Sequence, residues 1–485
     1  MTTLTASSAT ERLTVGVAAE PLLHRDPLTL YQDVRAATED CYLFESLAGP
    51  ADDLRCAVVG WGRIAELRFH RDRVELDADG PAGAALGAAL DRALGAGRRT
   101  GGDAGRVFEA IRAAQAVFRV ETELPSSTFA FGFLTTLGYR AAWGIEDLPE
   151  PERAEDTPWQ TLTLFQRTAW YDLATGTARL LTATGPLLPE PAPLPPPGPP
   201  AVHEPPPAPA PESVRDSTDE PEFTERTRRC LRHIGVGDVY QIQIGHRIDV
   251  RTALSPLDAY RRLRHRSPAP YMYLLPWAGR TVVGASPELY VRVVDGVLTM
   301  RPIAGTVAAG ADGRDPSAEL SGSAKQRAEH VMLVDLCRND VGRVCRPGTL
   351  SVDSMMRPEP FGYVHHLVST VSGRLEAGLD LWDVVRATFP AGTMTGAPKI
   401  RAMELIEEIE REPRGLYAGA VGLVDVRGFA VFALCIRTAV HHRGVYSIQA
   451  SAGVVADSDP YEEWRETLTK MSAAYWALTG EELTA

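Results

Sequence analysis

Residues 389–406 read FPAGTMTGAPKIRAMELI, a pattern of strand end, loop of small residues and helix. Gly392, Thr393, Thr395, Gly396 and Ala397 leave backbone N–H groups uncovered. Pro398 and Lys399 open an amphipathic helix that carries Met403, Leu405 and Ile406. Such a helix entrance favours anions, because unpaired N–H groups and the helix dipole both attract negative charge. Turns of the same shape also need glycine without any ligand. The segments on either side therefore decide what the loop is for.

Two flanking segments read as helices bearing paired acids. In DPYEEWRETLTKMSAA, Asp459 is an N-cap, Pro460 takes the first helical position and Glu462 completes a capping box. That phase puts Glu463 and Glu466 three apart on one face. In AKQRAEHVMLVDLCRND, Leu333, Leu336 and Cys337 suit a buried side, and Gln326 and Glu329 are again three apart. Two such helices can converge on a hard cation such as Mg²⁺, which takes a few carboxylates and fills its remaining positions with water and substrate oxygens. The same spacing also suits glutamates on solvated outer faces.

Strand signals surround these helices. Val239–Ile248 alternates, Leu289–Val294 and Val297–Ile303 flank the hairpin turn Asp295-Gly296, and Tyr417–Val426, Phe429–Val440 and Val445–Val455 form a meander. Strand runs with clustered helices indicate an α+β fold with antiparallel sheets. Half of the residues from 185 to 212 are proline, which predicts an extended polyproline-like insertion. It separates an N-terminal region, 20–184, from a C-terminal one, 222–480.

Composition narrows the class. A chain of 485 residues has ample material for a core, and its net charge of −13 argues against a nucleic-acid surface. An anionic substrate would then need a local positive site. No apolar run approaches the roughly 20 residues of a membrane span. The N-terminus lacks a signal-peptide pattern, and the six cysteines are scattered without CxxC spacing, so the expectation is reduced thiols in cytoplasm with no zinc site.

GDVYQIQIG (237–245), GASPELYVRV (284–293), RPIAGT (301–306), QRAEHVMLVDLCRNDVGRV (326–344), the 389–399 loop and GVVADSDP (453–460) occur in an order that resembles the component I family of anthranilate synthase and aminodeoxychorismate synthase. DPLTLYQDVR (26–35) and LFES (43–46) extend the resemblance to the N-terminus. The resemblance implies two stacked antiparallel β-sheets with helices outside and the active site between them, the chain acting on chorismate.

Residue by residue, the resemblance implies Glu329, Glu463 and Glu466 for Mg²⁺. It implies Tyr417, Arg437, Ser451, Lys470 and the backbone N–H groups of Ala452 and Gly453 for substrate carboxylates, and His366 and Thr393 for catalysis. Two positions bear on the nucleophile. Gln241 stands where water-adding members carry a lysine base, and Ala304 where aminodeoxychorismate synthases commonly carry a lysine nucleophile. Their absence points to direct attack by ammonia next to the carboxylate-bearing ring carbon, with anthranilate as the first product expected.

Gln326, Val307, Ser451 and the Phe429/Val431 pair depart from the family pattern. They keep 2-amino-2-deoxyisochorismate and aminodeoxychorismate open as products, together with a non-catalytic chorismate-binding role. Glu45, Ser46, Pro270, Tyr271 and Met272 resemble a tryptophan-feedback pocket. No cysteine sits in a nucleophile context, so the resemblance implies a separate glutamine amidotransferase subunit and leaves homo- and hetero-oligomers both open.

Overall fold

The computed structural model describes residues 12–483 except 23–24, 96, 101–103, 152, 154, 156, 201, 203, 309–319, 321–323 and 363. Up to the proline-rich segment the strands are β1 (Leu13–Pro21), β2 (Cys41–Glu45), β3 (Cys56–Phe69), β4 (Val74–Ala78), β5 (Phe118–Glu121), β6 (Gly132–Leu137), β7 (Gln160–Asp172) and β8 (Thr177–Thr184). The helices among them are α1 (Pro27–Ala37), α2 (Gly80–Leu94) and α3 (Ala104–Gln115). Beyond it follow β9 (Ser213–Asp216), β10 (Gln241–Arg251), β11 (Tyr271–Trp277), β12 (Arg280–Ser286), β13 (Leu289–Val294), β14 (Val297–Met300) and β15 (Ile303–Ala308). The remaining strands are β16 (Ser351–Phe361), β17 (Val364–Arg374), β18 (Gly396–Ala397), β19 (Ala420–Asp425), β20 (Ala430–Leu434), β21 (Thr438–His442) and β22 (Val445–Val454). Helices α4 (Glu220–Gly235), α5 (Pro256–Arg266), α6 (Ala324–Gly342), α7 (Leu381–Thr388), α8 (Lys399–Ile409) and α9 (Pro460–Thr479) complete this half.

The long strands β3 and β7 explain how one hydrogen-bonded network becomes two sheets. They pair along their whole length, with a register shift between Arg63 and Ala65. Gly62, at φ +73°, precedes that shift, and bulges of this kind let a strand bend from one sheet into another. On one side of the bend the order runs β5-β1-β8-β7-β3-β2-β11-β12-β21-β22-β10-β9. On the other it runs β4-β3-β7-β6-β19-β20-β13-β14-β17, with β15 and β16 also on β17. Only the β1–β5 pair is parallel among these ladders.

The main core lies between the sheets, where Tyr42, Tyr273 and Trp277 of the first join Leu134, Val291 and Phe432 of the second. Helices α4, α8 and α9 cover a second apolar layer with Phe223, Ile244, Leu405, Trp464 and Leu468. Helices α1 and α5 cover a third with Leu28, Tyr31, Leu43, Tyr260 and Leu274. The antiparallel α+β fold expected from the sequence is therefore present. Strands from either side of the proline-rich segment pair directly, β2 with β11 and β6 with β19.

Two local expectations change. Phe389 ends a helix, α7, rather than a strand: Leu381, Trp382, Val384 and Val385 recur at helical spacing and bury one face. The run 429–440 is two strands, because β20 pairs with β13 and β19 whereas β21 pairs with β12 and β22. The chain changes sheets between Leu434 and Thr438. Residues 185–212 contain no helix or strand among those described, and arginine and glutamine side chains tie down their carbonyls. Arg25 reaches Pro195 O at 2.9 Å, Arg262 reaches Pro206 O at 2.6 Å and Gln166 reaches Pro189 O at 2.7 Å.

Candidate active site

The crossing from β20 to β21 places Arg437 between the two sheets, at φ +50°. Its carbonyl accepts from Ala285 N at 3.2 Å, which fixes the crossing against β12. Burial lowers the Arg437 pKa from its ordinary value, and Glu288 opposes that shift. Tyr417 lies close by in the fold, its hydroxyl 2.7 Å from Ser451 Oγ, and Ser451 Oγ donates to Gln243 Oε1 at 3.0 Å. Arg414 stacks against the Tyr417 ring, 5.7 Å from its centroid, and binds Glu410 and the carbonyls of Gln243 and Met394. The substrate-facing tyrosine expected from the sequence is thus braced from behind by a buried arginine.

Strand β22 runs beside β10, with Ala452 opposite Ile244 and Gly453 opposite Gln243. A Cβ at Gly453 would lie 2.8 Å from Gln243 Nε2 and 3.0 Å from Gln241 Nε2, so a side chain here would push these amides aside. Gln241 is buried, and its Oε1 has no hydrogen-bond partner among the described residues. Past Ile448, β21 no longer pairs with β22, and among the described residues no other strand takes that edge of 449–454.

Helix α9 begins with the expected N-cap, Asp459 accepting from the N–H groups of Tyr461 and Glu462, but Glu462 turns to Arg465 instead of completing a capping box. Glu463 is buried and Glu466 exposed. Lys470, one turn on, holds Glu466 Oε1 at 2.6 Å and donates to Ser451 O at 2.9 Å. Burial alone would lower the Lys470 pKa, but the nearby carboxylates of Glu466 and Glu329 raise it. Two carboxylates, one from α9 and one from α6, thus act on the same cationic position.

His366, on β17, is buried with its ring edge against Phe361. A bulge between Ala304 and Val307 turns the Gly305 carbonyl towards His366 Nδ1 at 2.8 Å, so Nδ1 carries the proton and Nε2 keeps a lone pair. Burial, helped by the charge of Arg437, lowers its pKa to about 4, and the ring is neutral at pH 7. Ala304 is buried on β15, the neighbouring strand, and the Gln326 side chain packs within 3.3 Å of where a Gly305 Cβ would stand.

One acid of this site was not singled out in the sequence. Glu288, between β12 and β13, is buried, and burial raises its pKa to about 8 despite the hydrogen bond from Thr393 Oγ1 at 3.1 Å and the charges of Lys470 and Arg437. Thr393 comes from the 389–399 loop, whose Lys399 turns away to Asp340 at 3.1 Å and Thr388 O at 3.1 Å. The loop thus contributes a hydroxyl here. Its lysine is tied up elsewhere.

Together the site holds two cations, a carboxyl that is protonated at neutral pH, a neutral imidazole and a cluster of amides. Such a set binds a dianion and keeps a proton ready for a leaving oxygen. Among the described residues no three histidine, cysteine or acidic side chains converge to hold a metal. Glu329 and Glu466 both act on the Lys470 position, and a pair of carboxylates is the donor set Mg²⁺ uses, with water and substrate oxygens for the rest.

Glu45 and Met272 are cross-strand neighbours, and Tyr271 donates to Asp53 at 2.8 Å. Pro270 is buried beside Gly49, and Ser46 follows β2 directly. Tyr260 OH, at 2.6 Å, and Arg264, at 3.0 and 3.1 Å, occupy the Glu45 carboxylate. The five residues therefore adjoin one another, with protein donors on the acid.

Comparison with known proteins identifies the family. The pattern of the chorismate binding enzyme family matches residues 64–475. The chain is 48% identical over 460 residues to 2-amino-4-deoxychorismate synthase of Streptomyces globisporus, covering 92% of each chain. It is 49% identical over 270 residues to anthranilate synthase component 1 of Streptomyces coelicolor, a match that spans 55% of this chain and 53% of that protein. Among solved structures, anthranilate synthase component I of Streptococcus pneumoniae TIGR4 superposes with a TM-score of 0.69 at 27% identity, covering 87% of this chain and 92% of that one.

Proposed function

Because the chain belongs to the chorismate binding enzymes, we propose that it aminates chorismate with ammonia at ring C2, releases water from C4 and keeps the enolpyruvyl group. The product would be 2-amino-4-deoxychorismate, which has the same connectivity as 2-amino-2-deoxyisochorismate. A relative 48% identical along 92% of both chains, named for that product, supports this outcome.

Glu288 is the observation that carries the reading. In the proposed reaction the C2–N bond forms, the C1=C2 and C5=C6 double bonds shift to C1=C6 and C4=C5, and the C4–O bond breaks. Hydroxide is a poor leaving group, and a carboxyl still protonated near pH 8 supplies the proton that lets it depart as water. The ammonium nitrogen then loses a proton, which restores Glu288 and closes the balance. Arg437 and Lys470 take the substrate's negative charge, with Tyr417 held in place by Ser451 and Arg414.

A Mg²⁺ ion held by Glu329 and Glu466, with Glu463 beside them, would supply Lewis-acid withdrawal of charge at the ring carboxylate. Gln241 and Ala304 leave the site without a lysine at either position from which water activation or a covalent adduct would start. Ammonia would come from a separate glutamine amidotransferase subunit, since burial raises the thiol pKa of each of the six cysteines, to about 12 for Cys41, Cys56, Cys230 and Cys435.

A second reading, elimination of pyruvate to give anthranilate, is favoured by His366, a neutral imidazole near enough to Arg437 and Lys470 for their charges to act on it. A coupled assay for pyruvate during chorismate consumption separates the two. Amination without pyruvate supports the first, and pyruvate released one for one with chorismate supports the second.

A further inference from the structure

A cavity of about 480 Å³ opens on the far side of Tyr417 and contains none of Glu288, His366, Arg437 or Lys470. Ser447 and Gln449 of β22 line it, on the strand face that continues to Ser451 and Gly453 of the candidate active site. Tyr417 forms the shared wall. The volume falls in the range of small-molecule sites.

Its lining combines an apolar wall with surplus positive charge. Trp277 is 2% exposed, and its indole N–H has no hydrogen-bond partner among the described residues. A buried donor left unpaired is rare in folded proteins. Arg280 stands 5.8 Å from the Trp277 ring centroid. Arg251 and Arg443 are exposed, and neither pairs with a carboxylate among the described residues. The two acids among the described residues of the lining are already paired, Glu155 with Arg140 at 3.0 Å and Asp249 with Arg247 at 3.1 Å. On a chain of net charge −13 this is a local reversal of sign.

We infer that this cavity is a second ligand site for a small ring-bearing carboxylate. The ring lies against Trp277 and Leu416, and the guanidinium groups of Arg251 and Arg443 take the carboxylate. Arginine forks match carboxylate geometry, whereas a bare inorganic anion would use the charge and leave the apolar wall wet. An occupant bears on the back of Tyr417, whose hydroxyl is fixed by Ser451, so occupancy is coupled to the substrate side. The inference does not depend on which reaction the active site performs.

Calorimetric titration with benzoate tests it. Arg437→Gln removes the carboxylate grip of the candidate active site, and one benzoate-binding event is expected to persist in that variant. Adding Arg251→Gln and Arg443→Gln, both exposed, is expected to weaken that event at least ten-fold, and Trp277→Phe to weaken it several-fold. The Arg251→Gln/Arg443→Gln protein with Arg437 intact should turn over chorismate at the unmodified rate, which checks its fold and reports on the reaction separately. Loss of all benzoate binding in Arg437→Gln, or undiminished affinity after the double change, overturns the inference.

Discussion

Buried beside Thr393, Glu288 keeps its proton to about pH 8, and the proposed chemistry depends on that proton. Glu288→Gln is expected to lower kcat about 10²- to 10⁴-fold. The pH profile carries a matching signature. The rate per unit of unprotonated ammonia should be level near neutrality and fall above about pH 8 as Glu288 ionises. Stability follows the same group. A carboxyl whose pKa rises on folding binds its proton more tightly in the folded chain, so stability is lost as pH climbs from the ordinary carboxylate range through about 8. Glu288→Gln removes this loss, and its Tm from pH 6 to 9 should fall less than that of the unmodified protein. A second substitution, Gln241→Lys, should divert part of the flux to isochorismate by providing a base for water, detected by mass spectrometry. Arg437, Tyr417, Lys470 and His366 were legible as motif positions. Glu288 lay in the quoted GASPELYVRV stretch, yet a single acid between proline and leucine says nothing about its surroundings. Its role comes from burial by segments distant in sequence.

Helix α9 carries Glu463, Glu466 and Lys470, and a buried clamp sets its position. His246 Nδ1 lies 2.7 Å from Asp216 on β9, and its Nε2 lies 2.9 Å from Thr467 Oγ1 on α9. The imidazole also stacks on Trp464 at 4.7 Å. His246→Leu keeps volume but removes both bonds, and it should cost about 1–3 kcal/mol in denaturant unfolding. If the clamp positions α9, the Mg²⁺ concentration for half-maximal rate should rise as well. An unchanged requirement would limit the clamp to stability. Glu466→Gln should cut the rate roughly 10³-fold without loss of Tm, because the side chain is exposed. The start of α9 was legible from Asp459 and Pro460, since capping chemistry is local. The break between β20 and β21 was not. Residues 429–440 are apolar throughout that stretch apart from Arg437 and Thr438, and only the identity of partner strands, which is non-local, divides them between sheets.

Across the whole molecule, β3 and β7 belong to both sheets, so the halves on either side of the proline-rich segment share one framework. Alternation and turn residues revealed antiparallel strands. They could not reveal that one strand serves two sheets, because its pattern is that of any strand buried on both faces. The strap at 185–212, half proline, was legible as extended from composition alone. Its docking was not, since Arg25, Arg262 and Gln166 bind its carbonyls rather than its side chains. Replacing 190–207 with glycine and serine should lower stability by at least ~2 kcal/mol through greater freedom of the unfolded chain, with kcat unchanged. The central claim concerns bonds made and broken in the site between the sheets. Mass spectrometry of the products from chorismate, Mg²⁺ and ¹⁵N-ammonium tests it most directly. The account predicts a ¹⁵N-labelled ring product that has lost one oxygen as water and retains the enolpyruvyl carbons. Isochorismate without nitrogen, or chorismate left unconsumed, would contradict it.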